Sequence, residues 1–201
     1  MATSTAPGTS STKPCARDRL LASANELFYA EGVHTVGIDR IIEHAGVAKA
    51  SLYNTFGSKE ELVRAYLEGR HQRTRDRLAR DLAHYDDPRE RLLGVFDSQA
   101  TLLTDPAFRG CAFASASAEA PAGSKVLAAT EEYRRWVREL FTGLARDAGA
   151  ADPALLACQL QLLYDGMALS GRTDHDRSAA LAARAAGAAL LDTAISEGST
   201  S

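Results

Sequence analysis

A chain of 201 residues, 45% apolar and 24% charged, with a net charge of −3 at pH 7, has the balance of an ordinary globular protein and the length for one large domain or two small ones. The acidic excess excludes a protein whose whole surface binds nucleic acid, so any such contact must be local. No apolar run approaches the roughly eighteen residues of a membrane span, and the opening MATSTAPGTSSTKP lacks the apolar stretch of a secretory signal. A cytoplasmic location with no membrane partner is the expectation.

Residues 1–13 are rich in Ser, Thr, Pro and Gly and read as a disordered tail. Pro14 suits a first helical position, and Leu20, Leu21, Ala24, Leu27 and Phe28 make one stripe that Gly32 closes. Two short helical patterns then flank an Ala45-Gly46-Val47 turn. The first carries Ile38, Ile41 and Ile42; the second carries Leu52, Tyr53 and Phe56. Spacings of three and four place each set on one face, while Lys49, Ser51, Asn54 and Thr55 face outward. Two short helices joined by a Gly-containing turn, the second with a hydrogen-bonding face, describe a helix-turn-helix.

Ser58 followed by Glu61 forms a capping-box pattern and starts a fourth helix running to about Ala83. Leu62, Val63, Tyr66 and Leu67 are its apolar face. Over residues 64–80, six arginines (Arg64, Arg70, Arg73, Arg75, Arg77, Arg80) stand against Glu68 and Asp76, six minus two leaving +4. This stretch is either a solvated helix face or a local footprint for DNA. Asp87-Pro88-Arg89-Glu90 opens a fifth helix bearing Leu92, Leu93, Phe96, Gln99, Ala100 and Leu103, with Thr104-Asp105-Pro106 as its break. A short helix near 110–119 precedes Pro121 and Gly123. In residues 124–148, Val126, Thr130, Tyr133, Val137, Leu140 and Leu144 describe a helix packed along its length. Asp152-Pro153 opens an eighth helix with Leu155, Leu156, Leu160, Leu163 and Met167, expected to end at Gly171. A ninth, Ala-rich helix runs from about Asp174 or Arg177 to Ile195, and SEGSTS is a disordered tail. No segment reads as a strand. The fold class is all-α with about nine helices, divided into a tail (1–13), a three-helix DNA-binding domain (14–60) and a helical bundle (61–196).

The chain has no GxSxG, HExxH, CxxC or Gly-rich phosphate loop, and its five histidines are scattered. Cys15, Cys111 and Cys158 lack metal-ligand spacing and fit a reducing compartment, either as packing residues or with one redox-sensing thiol. The expectation is a non-enzymatic protein without metal or cofactor. On the second helix of the helix-turn-helix, Ala48, Lys49, Ala50, Ser51 and Asn54 are placed to meet base edges in a major groove. Lys49 suits guanine or a phosphate, Asn54 adenine or a phosphate, and Ala50 a thymine methyl.

Residues 17–62 resemble the N-terminal domain of the TetR (tetracycline-repressor) family of bacterial transcriptional regulators. The resemblance rests on Ala24, Leu27-Phe28, Gly32, Ile38, Ile41, Ala45-Gly46-Val47, Leu52-Tyr53, Phe56 and Ser58-Lys59-Glu60-Glu61-Leu62. It implies phosphate contacts from Tyr53 and Lys59. Where the family usually has Thr or Ser this sequence has Gly37, whose open backbone N–H groups suit a phosphate but which offers no side-chain contact. The resemblance further implies double-stranded operator DNA and a small-molecule effector as partners, and a ligand-responsive regulator, expected to be a repressor. Candidate pocket residues in the bundle are Phe96, Gln99, Phe113, Tyr133, Trp136, Gln161, Tyr164 and Met167. Glu119 and Asp165 suit either a cationic ligand or capping and surface roles. A homodimer through the last two helices, about 153–195, predicts a palindromic operator with half-sites about 34–36 Å apart or a multiple of that. Two other classes fit the same helices. An all-α enzyme would keep its activity after Lys49→Ala and Tyr53→Ala; a nucleoid-type module would discriminate weakly between sequences and ignore ligands.

Overall fold

The structure, a computed structural model, describes residues 14–118, 120–174 and 178–198. The expected N-terminal tail with Lys13, Glu119, His175, Arg177 and the last three residues lie outside the described residues. Among the described residues there are nine α-helices and no strand, as the hydrophobic periodicity predicts.

Helix α1 (Ala16–Glu31) buries Leu20, Ala24, Leu27 and Phe28. Pro14 stands just outside it and Cys15 holds the N-cap, so proline precedes the first turn rather than forming it. Helices α2 (Ile38–Ala45) and α3 (Lys49–Phe56) meet at Gly46, which has φ 60° and ψ 45°. That left-handed conformation lets the Gly46 and Val47 N–H groups close on Glu43 and Ile42 carbonyls at 3.1 Å, and glycine adopts it without a Cβ clash. Arg19 of α1 donates to the Gly46 carbonyl at 3.0 Å, fixing the turn against α1.

Helix α4 (Lys59–Leu82) buries Leu62, Val63, Tyr66 and Leu67 at one end and Leu78 and Leu82 at the other. At 1.5 Å per residue it is about 36 Å long, and it packs on α1 and α3 as well as on the bundle. The Ser58 hydroxyl accepts from the Glu61 N–H at 3.2 Å, which is half of the expected capping box. The other half is not formed, because the Glu61 carboxylate is engaged by Arg64 at 2.7 Å and by Lys125.

The bundle consists of α5 (Pro88–Leu103), α6 (Ala112–Ser117), α7 (Lys125–Asp147), α8 (Pro153–Asp174) and α9 (Ser178–Gly198). Helix α5 lies at its centre, with Leu92, Leu93 and Phe96 fully buried among α4, α7, α8 and α9. On α7 the buried stripe follows the expected positions except that Phe141, not Leu140, takes the core. Helix α8 does not end at Gly171 but continues to Asp174. Gly171 serves packing instead: a Cβ there would lie 2.4 Å from Leu103 Cδ2 of α5, so the absent side chain sets how closely the helices approach. Residues 178–196 of α9 are long and apolar enough to cross a membrane by length and composition alone. The helix is instead tied to α5 by ion pairs: Arg184 with Asp97 at 3.0 Å and Glu90 at 2.8 Å, and Arg89 with Asp192 at 2.8 Å.

Gly171→Ala is expected to destabilise the fold. The overlap with Leu103 costs about 1–3 kcal/mol, which exceeds the roughly 1 kcal/mol gained in helix propensity. Chemical denaturation checks this, and Leu103→Ala in the same chain removes the penalty if the overlap is its source.

Candidate functional site

The outer face of the helix-turn-helix is built by the two short helices and held from behind by Ile41, Ala45 and Leu52, all buried. Ala48 occupies the N-cap of α3 without a side-chain cap, so the first N–H groups of that helix have no side-chain acceptor at the cap position. Ala50 and Asn54 are exposed, Ser51 is half-buried and Tyr53 is 44% exposed. Gly37 is the exposed N-cap of α2, with φ −78°. Lys49 reaches across to Asp39 of α2, Nζ to Oδ1 2.8 Å, and this hydrogen bond and charge raise its pKa further. The ammonium is therefore held charged beside the recognition face, and a phosphate or base that takes it must displace Asp39. Lys59 is half-buried at the start of α4, and partial burial lowers its pKa. It lines a cleft of about 460 Å³ with His34, Glu60 and residues 120–124, at the joint between the helix-turn-helix layer and the bundle.

The arginines of residues 64–80 do not form one DNA-facing patch. Arg64 pairs with Glu61 and Glu68, Arg73 donates to Asn25 of α1 at 2.6 Å, and Arg75 lies over Trp136. Arg70 and Arg77, with Thr74 between them, are half-buried and line a cavity between the helices. Their spacing of four and three puts the three side chains on one face of α4.

That cavity, about 80 Å³, is lined by α1, α4, α5, α7, α8, the start of α6 and the segment leading into it. Of the eight expected pocket residues, Gln99, Phe113, Tyr133 and Tyr164 line it. Phe113 and Tyr133 stack with ring centroids 3.8 Å apart. The Tyr164 hydroxyl donates to Gln99 Oε1 at 3.1 Å and stands 3.4 Å from that of Tyr133, and burial raises both phenol pKa values. The other four lie elsewhere. Phe96 packs on Phe141 at 5.8 Å beneath α9, where a Cβ on Gly187 would come within 3.0 Å of its ring. Met167 is buried in the core. Trp136 lies against His71, the rings tilted and 5.0 Å apart. Gln161 is fully buried and engaged at both ends, accepting from Arg138 at 2.8 Å and donating to the Arg134 carbonyl at 3.1 Å.

No expectation from sequence placed Tyr29, Arg70, Thr74, Arg77, Phe108 or Cys111 at this cavity; Asp165, expected to meet a cationic ligand or to serve a capping or surface role, does line it. The 70–74–77 spacing was the one available signal, and it is indistinguishable in sequence from a solvated face. Asp165 pairs with Arg134 at 2.7 Å. Burial pushes the Cys111 thiol up, which keeps it protonated and weakly nucleophilic at neutral pH.

Two links join the cavity and bundle to the helix-turn-helix layer. Tyr29 of α1 accepts from the Arg109 N–H at 3.0 Å and donates to the Gly110 carbonyl at 3.1 Å, while Arg70 lies over its ring at 3.6 Å. At the other joint, the start of α7 is held by the start of α4: Glu60 accepts from the Lys125 N–H at 2.9 Å, and Glu61 from its ammonium.

A solvent-facing helix-turn-helix on a helical bundle is the architecture of a DNA-binding regulator. The profile "Bacterial regulatory proteins, tetR family" matches residues 20–66. The structure resembles SCO4454, a TetR-family transcriptional regulator from Streptomyces coelicolor, with TM-score 0.84 and 31% identity over 90% of this chain and 96% of that one. The uncharacterized HTH-type transcriptional regulator Rv1255c of Mycobacterium tuberculosis is 27% identical over 171 residues, 83% of this chain and 82% of that one. With the transcriptional activator FasR of Mycolicibacterium smegmatis the likeness is 46% over 52 residues, and the chain spans only 24% of that protein. The chain belongs to the TetR family, as a DNA-binding transcriptional regulator.

If the face described above meets DNA, Lys49→Ala and Tyr53→Phe each weaken operator binding, by about 1–3 kcal/mol where a base contact is lost. Fluorescence anisotropy on the target duplex reads the loss, and unchanged circular dichroism shows that the fold is intact.

Proposed function

We propose that the protein is a ligand-responsive repressor that binds a palindromic operator as a homodimer. The observation that carries the reading is the distribution of exposed leucines. Leu155, Leu162 and Leu169, 56%, 71% and 67% exposed, repeat every seventh residue along α8, and Leu181, 70% exposed, lies on α9. Large apolar side chains aligned on one helical face call for a partner surface, and the small residues Ala182, Ala185, Ala186 and Ala189, also exposed on α9, permit close helix approach. Two copies joined by residues 153–195 form a four-helix contact with two-fold symmetry. That symmetry presents two α3 helices to two half-sites of opposite orientation.

In this reading residues 14–60 form the DNA-binding domain and 61–196 the ligand-binding and dimerisation domain, with α4 as the lever between them. On α3, Ala48, Lys49, Ala50, Ser51 and Asn54 meet base edges and backbone. Tyr53, Lys59 and the Gly37 N–H groups hold phosphates. The ligand occupies the cavity closed by Gln99, Phe113, Tyr133 and Tyr164, where a few convergent polar groups stand among aromatic rings. Its wall includes Tyr29 of α1 and Arg70 of α4, so a ligand that displaces either acts directly on the helix-turn-helix layer. Switching from 99:1 to 1:99 requires about 5.5 kcal/mol of differential affinity between the two arrangements. The protein acts in the cytoplasm by binding, without catalysis.

The test is binding of the purified protein to DNA upstream of its own gene and of the divergent neighbour, across a salt series. A single palindrome bound at least ~1,000-fold over scrambled DNA, with transcription rising when the protein is deleted, is the expected result; transcription falling on deletion makes the protein an activator. Leu162→Glu with Leu169→Glu is expected to give a folded monomer by sedimentation that has lost operator affinity. A wild-type monomer that binds the same site with the same affinity would overturn the dimer reading.

A further inference from the structure

We propose that the cavity takes an anionic ligand, a compact carboxylic acid, whose carboxylate is held by Arg70 and Arg77. The proposal rests on the ligand-responsive reading above and adds the ligand's chemical class. Charge at the cavity is unbalanced. Asp165, the one carboxylate in the lining, is paired with Arg134 at 2.7 Å. Among the described residues neither Arg70 nor Arg77 has a carboxylate partner. Arg77 donates to the Ser98 hydroxyl, which in turn donates to the Asp81 carboxylate, and, at 3.1 Å, to Gln99 Oε1. Arg70 lies over the rings of Tyr29 and Tyr66, and its Nε–H is buried with no acceptor. For Arg70, a cation kept partly out of water without a direct counter-charge is costly, and an incoming anion removes that cost.

The neutral groups point the same way. Gln99 Oε1 already accepts from both Arg77 and Tyr164. With the Tyr164 proton committed to Gln99, the hydroxyl pair at 3.4 Å leaves Tyr133 as the donor to Tyr164. Acceptors are in short supply here and donors are not, and a carboxylate supplies acceptors in the planar fork geometry that guanidinium matches. A cationic ligand would meet two guanidinium groups and find the Asp165 carboxylate taken. The remaining wall, Leu102, Phe108, Phe113 and Ala168, is apolar and suits a ring or short chain. At about 80 Å³ the space is below the ~150 Å³ that encloses one benzene in a dry cavity, so a one-ring acid fits only with movement of the Phe113–Tyr133 stack.

The experiment compares benzoate, benzamide and benzylamine by calorimetry on the full-length protein, with release from operator DNA as a second reading. The variants are Arg77→Gln, Arg77→Lys and the cavity-filling Ala168→Met, each checked for its melting temperature. Benzoate is expected to bind ~10–100-fold tighter than benzamide, with no binding of benzylamine. Arg77→Gln should erase the preference for benzoate, Arg77→Lys should retain part of it, and Ala168→Met should block all binding. Benzamide or benzylamine binding as well as benzoate, and blocked by Ala168→Met, overturns the anionic class and leaves the cavity as the ligand site. Binding of none of the three up to their solubility, or benzoate binding that Ala168→Met leaves unchanged, overturns the cavity reading and this proposal with it.

Discussion

Burial of Leu62, Val63, Tyr66 and Leu67 at one end of α4, and of Leu78 and Leu82 at the other, makes one continuous helix a member of two packed layers. A helix cannot bend sharply without a proline, a bulge or an inserted group in its hydrogen-bond ladder, and α4 contains no proline. The three-helix layer must therefore follow any tilt that the bundle imposes on it. The Phe28–Tyr66 edge contact at 5.6 Å ties α1 to α4 on one side. The Glu60 and Glu61 contacts to Lys125 tie α7 to the first turn of α4. The position of the helix-turn-helix is thus set by groups that also belong to the bundle.

Placement of the cavity follows from the same constraint. It lies where α4 passes α5, α7 and α8, and its wall takes Tyr29 from α1. The aromatic rings supply apolar surface, and Arg77 and Tyr164 are connected to one another through Gln99. Such a connected network transmits a displacement because each member's orientation fixes the next.

Legibility in the sequence varied with the range of the interaction. Helix starts at Ser58 and Asp87 were readable because a cap hydrogen bond closes within three residues, and each forms: Ser58 to Glu61 and Asp87 to Glu90. Gly46 was readable because its turn needs a left-handed residue. Gly171 was misread by the same local rule, since nothing in sequence distinguishes a glycine that ends a helix from one that admits Leu103 of another helix. The reciprocal half of the capping box was predicted at Glu61 and is absent, because Lys125, sixty-four residues on, competes for its carboxylate.

The sequence by itself determined the all-α class, the order of the helices and the helix-turn-helix, because 3.6-residue periodicity and capping act within one or two turns. The tertiary structure alone decided which polar and aromatic residues share a cavity. Phe96, Met167 and Gln161 have the composition of pocket residues, yet the packing of α5, α8 and α9 places them in the core. Arg70 and Arg77 have the composition of a surface, yet the path of α4 between α1 and α5 turns them inward. Which face of a helix meets which neighbour depends on crossings between segments far apart in the chain, and no local pattern encodes those crossings.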